Sequence, residues 1–385
     1  MSTAAAVGRV VPARHRPGLR TPERLGDGDY PGYGRGMDPL VDPRTEAGAA
    51  DEFGRLAEPF RRELLALCYR MLGSLDEAED AVQETYLNAW RSYAGFEGRA
   101  SLRTWLYRIA TRACLKALER GVRRPLPSGL GGPSEDAESQ PGRWRTDIAW
   151  LQPMPTGAAA ATHAASTGSG APVDPAVTVA SRHSMRLAFV AALQYLPPRQ
   201  RAVLILRDVL AWRSGEVAEL IGSSEAAVNS ALQRARAQLK QVAPTEDGLV
   251  EPSDPVGRGL LDRYATAFET ADVAALTELL ARDAVFEMPP IPTWFAGRQA
   301  IAAFLAARVL RPDHFRLLAT EANDEPAFGL YERGAGGVYL PHAVQVLSLA
   351  DRGIARIVTF HDPELLARFA LPPHALPAYA LPPDA

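Results

Sequence analysis

The chain of 385 residues is poor in cysteine, with only Cys68 and Cys114, each inside a helical pattern. That excludes a disulfide-stapled secreted scaffold, and the two read as reduced core thiols. No apolar run reaches the roughly eighteen residues a membrane span needs. The His and Cys residues show no metal-ligand spacing, and the first residues lack the compact apolar core of a secretion signal. These absences predict a cytoplasmic protein with no cofactor, no metal and no membrane contact. Net charge is also nearly absent, at −3, so the whole chain has no bias toward nucleic acid. The distribution of that charge is uneven, and this matters more. The length predicts two or three domains.

Residues 1–50 hold seven arginines and six acids among Gly, Pro and Ala, without periodicity. They read as a disordered arm, and Met37 is an alternative start. From residue 51 the pattern changes. Phe53, Leu56, Phe60, Leu64, Leu67 and Met71 recur at helical steps over 51–72. After Gly73-Ser74, LDEAEDAVQETYLNAW (75–90) predicts a second helix with Ala78, Val82, Thr85, Tyr86 and Ala89 inward. It carries five acids and no base. Such a helix is either a solvated face suited to its dipole or a docking face for a basic partner. Leu87 and Trp90 are expected to be exposed beside Gln83 and Glu84. A loop with Gly95 and Gly98 around Phe96 follows. Ser101 then caps a third helix with Leu102, Leu106, Ile109, Ala113 and Ala117 inward. Arg108, Arg112, Lys116 and Arg120 stack on its outer side. From Arg99 to Arg124 there are eight bases and one acid. With Trp105 and Tyr107 interleaved, that is the composition of a strand-binding surface, although much of the Trp105 ring reads as core.

The stretch LPPRQRAVLILRDVLAWRSGEVAELIGSSEAAVNSALQRARAQLK (196–240) reads as a helix, a break and two helices joined by Ile221-Gly222-Ser223-Ser224. Gly222 suits a left-handed helix end, Ser223 or Ser224 an N-cap, and Glu225 the positive end of the next helix. Val217, Leu220 and Ile221 pack against Ala227, Val228, Ala231 and Leu232. This is a helix-turn-helix. Its second helix presents Asn229, Ser230, Gln233, Arg234 and Arg236, side chains able to reach base edges or phosphates in a major groove.

Two of these segments resemble a known family in the correct order. EAEDAVQETYLNAW followed by FEGRASLRTWLYRIATRACLKAL resembles region 2 of the extracytoplasmic-function group of sigma factors in the sigma-70 family. LPPRQRAVLILRDVLAWRSGEVAELIGSSEAAVNSALQRARAQL resembles their region 4. The resemblance implies that Asp80, Gln83, Glu84, Leu87 and Trp90 dock on bacterial core RNA polymerase. It implies that Phe96, Arg99, Arg103, Trp105, Arg108 and Arg112 read and melt a promoter −10 element. A −35 element would be held by Arg207, Arg213, Ser224, Asn229, Ser230, Gln233, Arg234 and Arg236. Between the two modules, 121–182 contains eight prolines and little periodicity and reads as a connector. Trp144, Trp150 and Leu151 are expected to dock on something, and WLQPMP resembles a motif that precedes region 4 in large members of the group. Asp174-Pro175 is expected to start a helix over 175–195, with Met185, Phe189, Ala192 and Leu193 inward.

The chain continues well past region 4. Helices are expected at 256–269, 273–281 and 299–310, and strands at 284–288, 314–322, 327–332, 343–349 and 354–360. Asp351-Arg352-Gly353 reads as a hairpin turn. Helices followed by a curved antiparallel sheet make an α+β domain. LLDRYATAFETADVAALTELLARDAVFEMPP and AVQVLSLADRGIARIVTF resemble the SnoaL-like cone, which implies an apolar pocket; Met288, Trp294 and Phe295 are the lining candidates. Residues 256–385 hold eleven arginines and fifteen acids, so this body would repel DNA or cover the basic helices. Asp283, Glu287, His314, His342 and His361-Asp362 are acid–base candidates by type, but no spacing brings two of them together.

The expected architecture is therefore multi-domain: two all-α sigma modules and a C-terminal α+β SnoaL-like cone. The segments are an arm (1–50), region 2 (51–122), a linker (123–174), region 4 (175–243), a linker (244–255), the cone (256–372) and a tail (373–385). The expected partners are core polymerase, promoter DNA and, for the cone, a small-molecule ligand. The expected function is promoter-specific initiation with no catalytic residue, the cone modulating it. Two other readings are a stand-alone helix-turn-helix regulator, which leaves the acidic helix unexplained, and a small-molecule enzyme in the last domain.

Overall fold

The computed structural model describes residues 51–98, 100–121, 123–138, 140–159, 184–242 and 255–375. The arm 1–50, Arg99, the Asp174-Pro175 helix start and the linker 244–254 lie outside them.

Region 2 is a three-helix bundle. Residues 51–57 are helical, and a 3-10 turn at Glu58–Phe60 follows where Pro59 interrupts the ladder. Helix α1 is Arg61–Leu72, α2 is Leu75–Ser92 and α3 is Leu102–Arg120. Leu56, expected inward, is exposed, and the Tyr86 hydroxyl donates to Ala57 O at 3.1 Å. Gly73 ends α1 at φ 69°, and Ser74 Oγ accepts the Glu77 N–H of α2. Ser101 Oγ does the same for Thr104 in α3. Leu64, Leu67, Met71, Val82, Leu106 and Cys114 are fully buried between the helices, each large apolar side chain contributing about 1.5–3 kcal/mol. The buried stripe of α3 is turned from the expected one. Tyr107, Ala110 and Cys114 are inside, while Ala117 is exposed.

Region 4 comprises α4 (Leu187–Leu193), α5 (Pro198–Leu204) running into a π turn (Ile205–Val209), α6 (Ser214–Ile221) and α7 (Glu225–Val242). Gly222 joins the last two helices at φ 65°. The expected 175–195 helix begins, in its described part, only at Leu187. Arg186 is extended, and the Leu187 N–H goes to the Glu325 carboxylate at 2.8 Å. Tertiary docking thus sets that helix start. Ala227, expected inward, is exposed, and Ala235 is buried instead.

The C-terminal domain contains α8 (Pro255–Glu269), α9 (Val273–Leu279), β1 (Leu280–Met288), β2 (Ile291–Ala296), α10 (Arg298–Phe304), β3 (Phe315–Ala322), β4 (Glu325–Arg333), β5 (Tyr339–Ala350), β6 (Gly353–Phe360) and a turn of helix α11 (Leu365–Arg368). The sheet order is β2-β1-β6-β5-β4-β3. It is mixed rather than wholly antiparallel, because β1 runs parallel to β6. Strand β2 was not anticipated, since Pro289-Pro290 and Pro292 break its pattern. Alternate residues separate the two faces. Phe286, Phe328, Leu330, Ala343 and Leu347 pack under the helices, and Val344, Val346, Val358 and Phe360 face the other way.

That second face joins one apolar cluster with both sigma-like modules. Its centre is the β3–β4 turn, where Asn323 and Asp324 have φ of 58° and 57°, the left-handed pair of a type I′ turn. Asn323 Nδ2 donates to Tyr69 Oη (2.9 Å) and Met185 O (2.8 Å), and Oδ1 accepts from Met154 N (3.0 Å). One buried amide therefore ties region 2, the connector and the approach to region 4. Little of the connector is regular, yet it is docked. Leu151 and Met154 are buried, and Gln152 Oε1 accepts from Ser74 Oγ and Leu75 N. Trp144 remains exposed and Trp150 half-buried, so the anchors are Leu151 and Met154 rather than the tryptophans.

Candidate nucleic-acid interface

On α2, Asp80, Gln83 and Leu87 are exposed and Glu84 is half-exposed. Trp90, expected to be exposed, is half-buried against Phe53 at 5.9 Å between ring centroids. Glu84 pairs with Lys116 of α3 at 3.0 Å. Along the same helix, Arg368 of the C-terminal domain bonds Asp76 at 2.5 Å and Glu79 at 2.7 Å. That guanidinium sits at the edge of the acidic face.

The loop after α2 builds an aromatic ladder. Phe96 stacks near Tyr93 (6.4 Å, 12° between planes) and on Trp105 (4.8 Å). Both Phe96 and Trp105 are half-buried, so each keeps a free ring surface. The arginines of α3 behave differently. Arg103, expected at the −10 element, turns its Nε onto buried Glu63 at 2.7 Å, and Tyr107 donates to the same oxygen at 2.9 Å. Arg108 crosses to Glu219 of α6. Tyr107, interleaved in the sequence with the basic stripe, is fully buried against Trp212 of region 4 at 5.4 Å. Of the described −10 arginines, Arg112 alone is exposed with no ion-pair partner among the described residues. Arg99 lies outside those residues.

On α7, Ser224 Oγ caps the helix by accepting the Ala227 N–H at 3.2 Å. Asn229, Ser230, Gln233 and Arg234 form one exposed outer strip. Asn229 accepts from Ser214 Oγ (2.8 Å) and Arg234 donates to Ser230 (2.8 Å), contacts that aim the strip without burying it. Arg213 is exposed beside it. Two other residues expected at the −35 element bond within the protein. Arg236 is held by both oxygens of Asp208 (2.8 and 2.6 Å), and half-buried Arg207 is bound to Trp212 O.

Three couplings were missed from the sequence. Buried Arg201 reaches Met71 O and, at 2.8 Å, Gln194, fastening region 4 to region 2; burial pushes its guanidinium down to about 10. Glu63 and Asn323 are the others. An LPPR run or a lone Glu inside a helix carries no sign of a distant partner. The Asn-Asp pair between two strands marks a hairpin turn but not what that turn docks against.

In the C-terminal domain the fold brings together residues that spacing could not. Glu332 accepts from His314 Nε2 (3.1 Å) and His342 Nδ1 (3.2 Å), and His361 lies 5.1 Å from the His342 ring. Burial, then His342, pushes His361 down to about 3; burial also lowers His342. Asp283 is exposed and stands apart, while Glu287 is buried under Arg356 on the opposite face. Among the described residues no three such groups have metal-site geometry. Met288 and Phe295 are buried in the core under the helices. Trp294 points away from it and donates to Gly131 O of the connector at 2.9 Å, so it lines no interior pocket.

A bundle with an acidic helix and an aromatic-basic loop, joined to a helix-turn-helix, defines a promoter-recognition protein of the sigma type. Sequence comparison agrees. Profiles of Sigma-70 region 2, Sigma-70 region 4 and the SnoaL-like domain match residues 56–124, 186–239 and 261–357. The chain is 49% identical over 324 residues to ECF RNA polymerase sigma factor SigG of Mycobacterium tuberculosis, covering 83% of this chain and 84% of that one. It is 29% identical over 229 residues to SigJ of the same organism, covering 60% and 62%. The crystal structure of the extracytoplasmic function sigma factor SigJ superposes with a TM-score of 0.51 at 22% identity, over 84% of this chain and 99% of that one. The chain belongs to the ECF RNA polymerase sigma factors, with a C-terminal SnoaL-like domain. It is a transcription factor by family, and no helix among the described residues is long and apolar enough to cross a membrane.

Proposed function

We propose that the chain docks on core RNA polymerase through the α2 face of Asp80, Gln83, Glu84 and Leu87, with Trp90 as the packed base of that face. The Phe96–Trp105 ladder takes unpaired −10 bases, and Arg99, Arg108 and Arg112 take phosphates. Stacking of each base on an aromatic ring is worth about 1–3 kcal/mol. The α7 strip of Asn229, Ser230, Gln233 and Arg234, flanked by Arg213 and capped by Ser224, reads −35 in the major groove. Arg103, Arg207 and Arg236 hold the modules in shape rather than touch DNA. This is work for the cytoplasm and needs no turnover, so the histidine cluster serves the cone and not a reaction.

The observation that carries this reading is the pairing of a solvent-facing α7 strip with a region 2 whose Arg103 and Arg108 are engaged. The two promoter elements lie about two helical turns apart, roughly 70 Å along the duplex. Modules joined by Arg108–Glu219 and Arg201 cannot read both at once. The arrangement is therefore a closed one that opens on polymerase. Arg368, paired with Asp76 and Glu79, makes the C-terminal domain a restraint on that opening. Run-off transcription with bacterial core polymerase tests this, comparing wild type with Arg368→Glu. A defined start that requires the protein, made more strongly by the variant, is expected. Failure to bind core would overturn the docking assignment. Equal transcription from both would remove the restraint.

A further inference from the structure

A groove of about 600 Å³ runs between α3 of region 2 and region 4. Its floor is apolar, formed by Leu115 of α3, Pro197 before α5, and Leu220 and Ile221 at the end of α6. Its rim is cationic. Arg112, Lys116 and Arg199 stand there against one carboxylate, Glu119. Arg112 and Arg199 are exposed and have no ion-pair partner among the described residues, and Lys116 is shared with Glu84.

A second, independent feature marks the groove. Thr111 lines it, is fully buried, and its hydroxyl has no hydrogen-bond partner. A helical threonine ordinarily bonds back to the carbonyl one turn earlier. A buried hydroxyl left unpaired is costly.

An apolar floor and a rim carrying two unpaired arginines beside Lys116 suit an amphiphilic anion. A bare inorganic anion would leave the floor uncovered. The volume lies within the usual range for small-molecule sites. We propose that this cleft binds a free nucleotide, its base and sugar on Leu115, Pro197, Leu220 and Ile221 and its phosphates on Arg112, Lys116 and Arg199. Such a ligand bridges the two modules and holds them closed. Its competition with promoter DNA for Arg112 rests on the α3 assignment above; its binding does not.

The test is titration of full-length protein with methylanthraniloyl-labelled GDP, without DNA or polymerase, so failure here leaves the promoter reading untouched. Saturable binding is expected, weakened about tenfold by Arg199→Ala, a solvent-exposed change, and comparably by Lys116→Gln. Thermal melting confirms that both variants are folded. No saturable binding would overturn the proposal, as would affinity unchanged in both variants. Displacement of the probe by inorganic phosphate as readily as by GDP would also overturn it, because the floor would then contribute nothing.

Discussion

Helices α3 and α7 carry the same chemistry, arginines along an amphipathic helix, and spend it in opposite ways. On α7 the outer strip of Asn229, Gln233 and Arg234 faces solvent, trimmed only by short bonds to Ser214 and Ser230. On α3, Arg103 is turned onto buried Glu63 and Arg108 onto Glu219 of the other module. On the proposed assignment, the duplex reader is ready and the strand reader is latched. A charged residue on a helix face is thus not a binding residue by position alone. What it touches in the closed molecule decides whether its removal costs stability or recognition.

The largest effect expected follows directly. Arg103→Ala leaves the Glu63 carboxylate buried without its cation and is expected to cost about 3 kcal/mol of stability. Arg234→Ala is expected to leave stability within about 0.5 kcal/mol and to weaken −35 duplex binding about tenfold to a hundredfold. Urea unfolding and gel-shift titration of both variants measure this. Equal destabilisation by the two would break the contrast between the helices.

The aromatic ladder sharpens it next. Phe96→Ala and Trp105→Ala are each expected to lower promoter opening by about 1–3 kcal/mol, read as permanganate reactivity around the start site. Binding of an intact −35 duplex stays as it was. Gln233→Ala should do the reverse, and loss of duplex binding from Trp105→Ala would show that the modules are not separable.

Much of this was readable from patterning. The helices α2, α3, α6 and α7, their Ser and Gly caps and five of the six strands of the C-terminal domain came from local chemistry, which local sequence encodes. What failed was of another kind. Arg103 faces inward because Glu63, forty residues earlier, lies beneath it. The helix expected from residue 175 has its described start at Leu187 because Glu325 takes that N–H. Strand β2 hid behind prolines that an edge position tolerates. The histidine cluster needed three strands and their register before His314, His342 and His361 met. Long-range pairing leaves no period in the sequence.

Acid offers a smaller and more selective perturbation. Burial holds His361 at about 3, against about 6.5 in the unfolded chain. The group is neutral in the fold and its pKa is depressed, so its contribution is complete above about pH 6.5 and is lost as pH falls from there toward 3. Between pH 7 and 6 the loss is about 0.7 kcal/mol. His342 shifts in the same direction. Helix α7 contains no histidine. Acidification should therefore loosen the domain whose Arg368 pairs with α2 while leaving the α7 strip unaffected. Urea midpoints at the two pH values measure it, and an unchanged pH dependence in His361→Gln would remove that histidine from the account.

The smallest expected effect separates the latch from the reader most cleanly. Arg108 and Glu219 form an exposed pair worth under about 1 kcal/mol, so breaking it hardly changes stability. The two halves of the pair nonetheless differ. Glu219→Ala removes only the latch, freeing Arg108 for phosphate, and is expected to raise promoter affinity about twofold to fivefold. Arg108→Ala opens the same latch but discards the phosphate contact, so affinity should fall by a similar factor and the salt dependence should flatten by about one counterion. Opposite signs from two halves of one ion pair are not produced by a purely structural contact. Gel shifts across a salt series would show them, and a fall in affinity for both variants would mean that the pair stabilises the DNA-bound form and that the latch lies elsewhere.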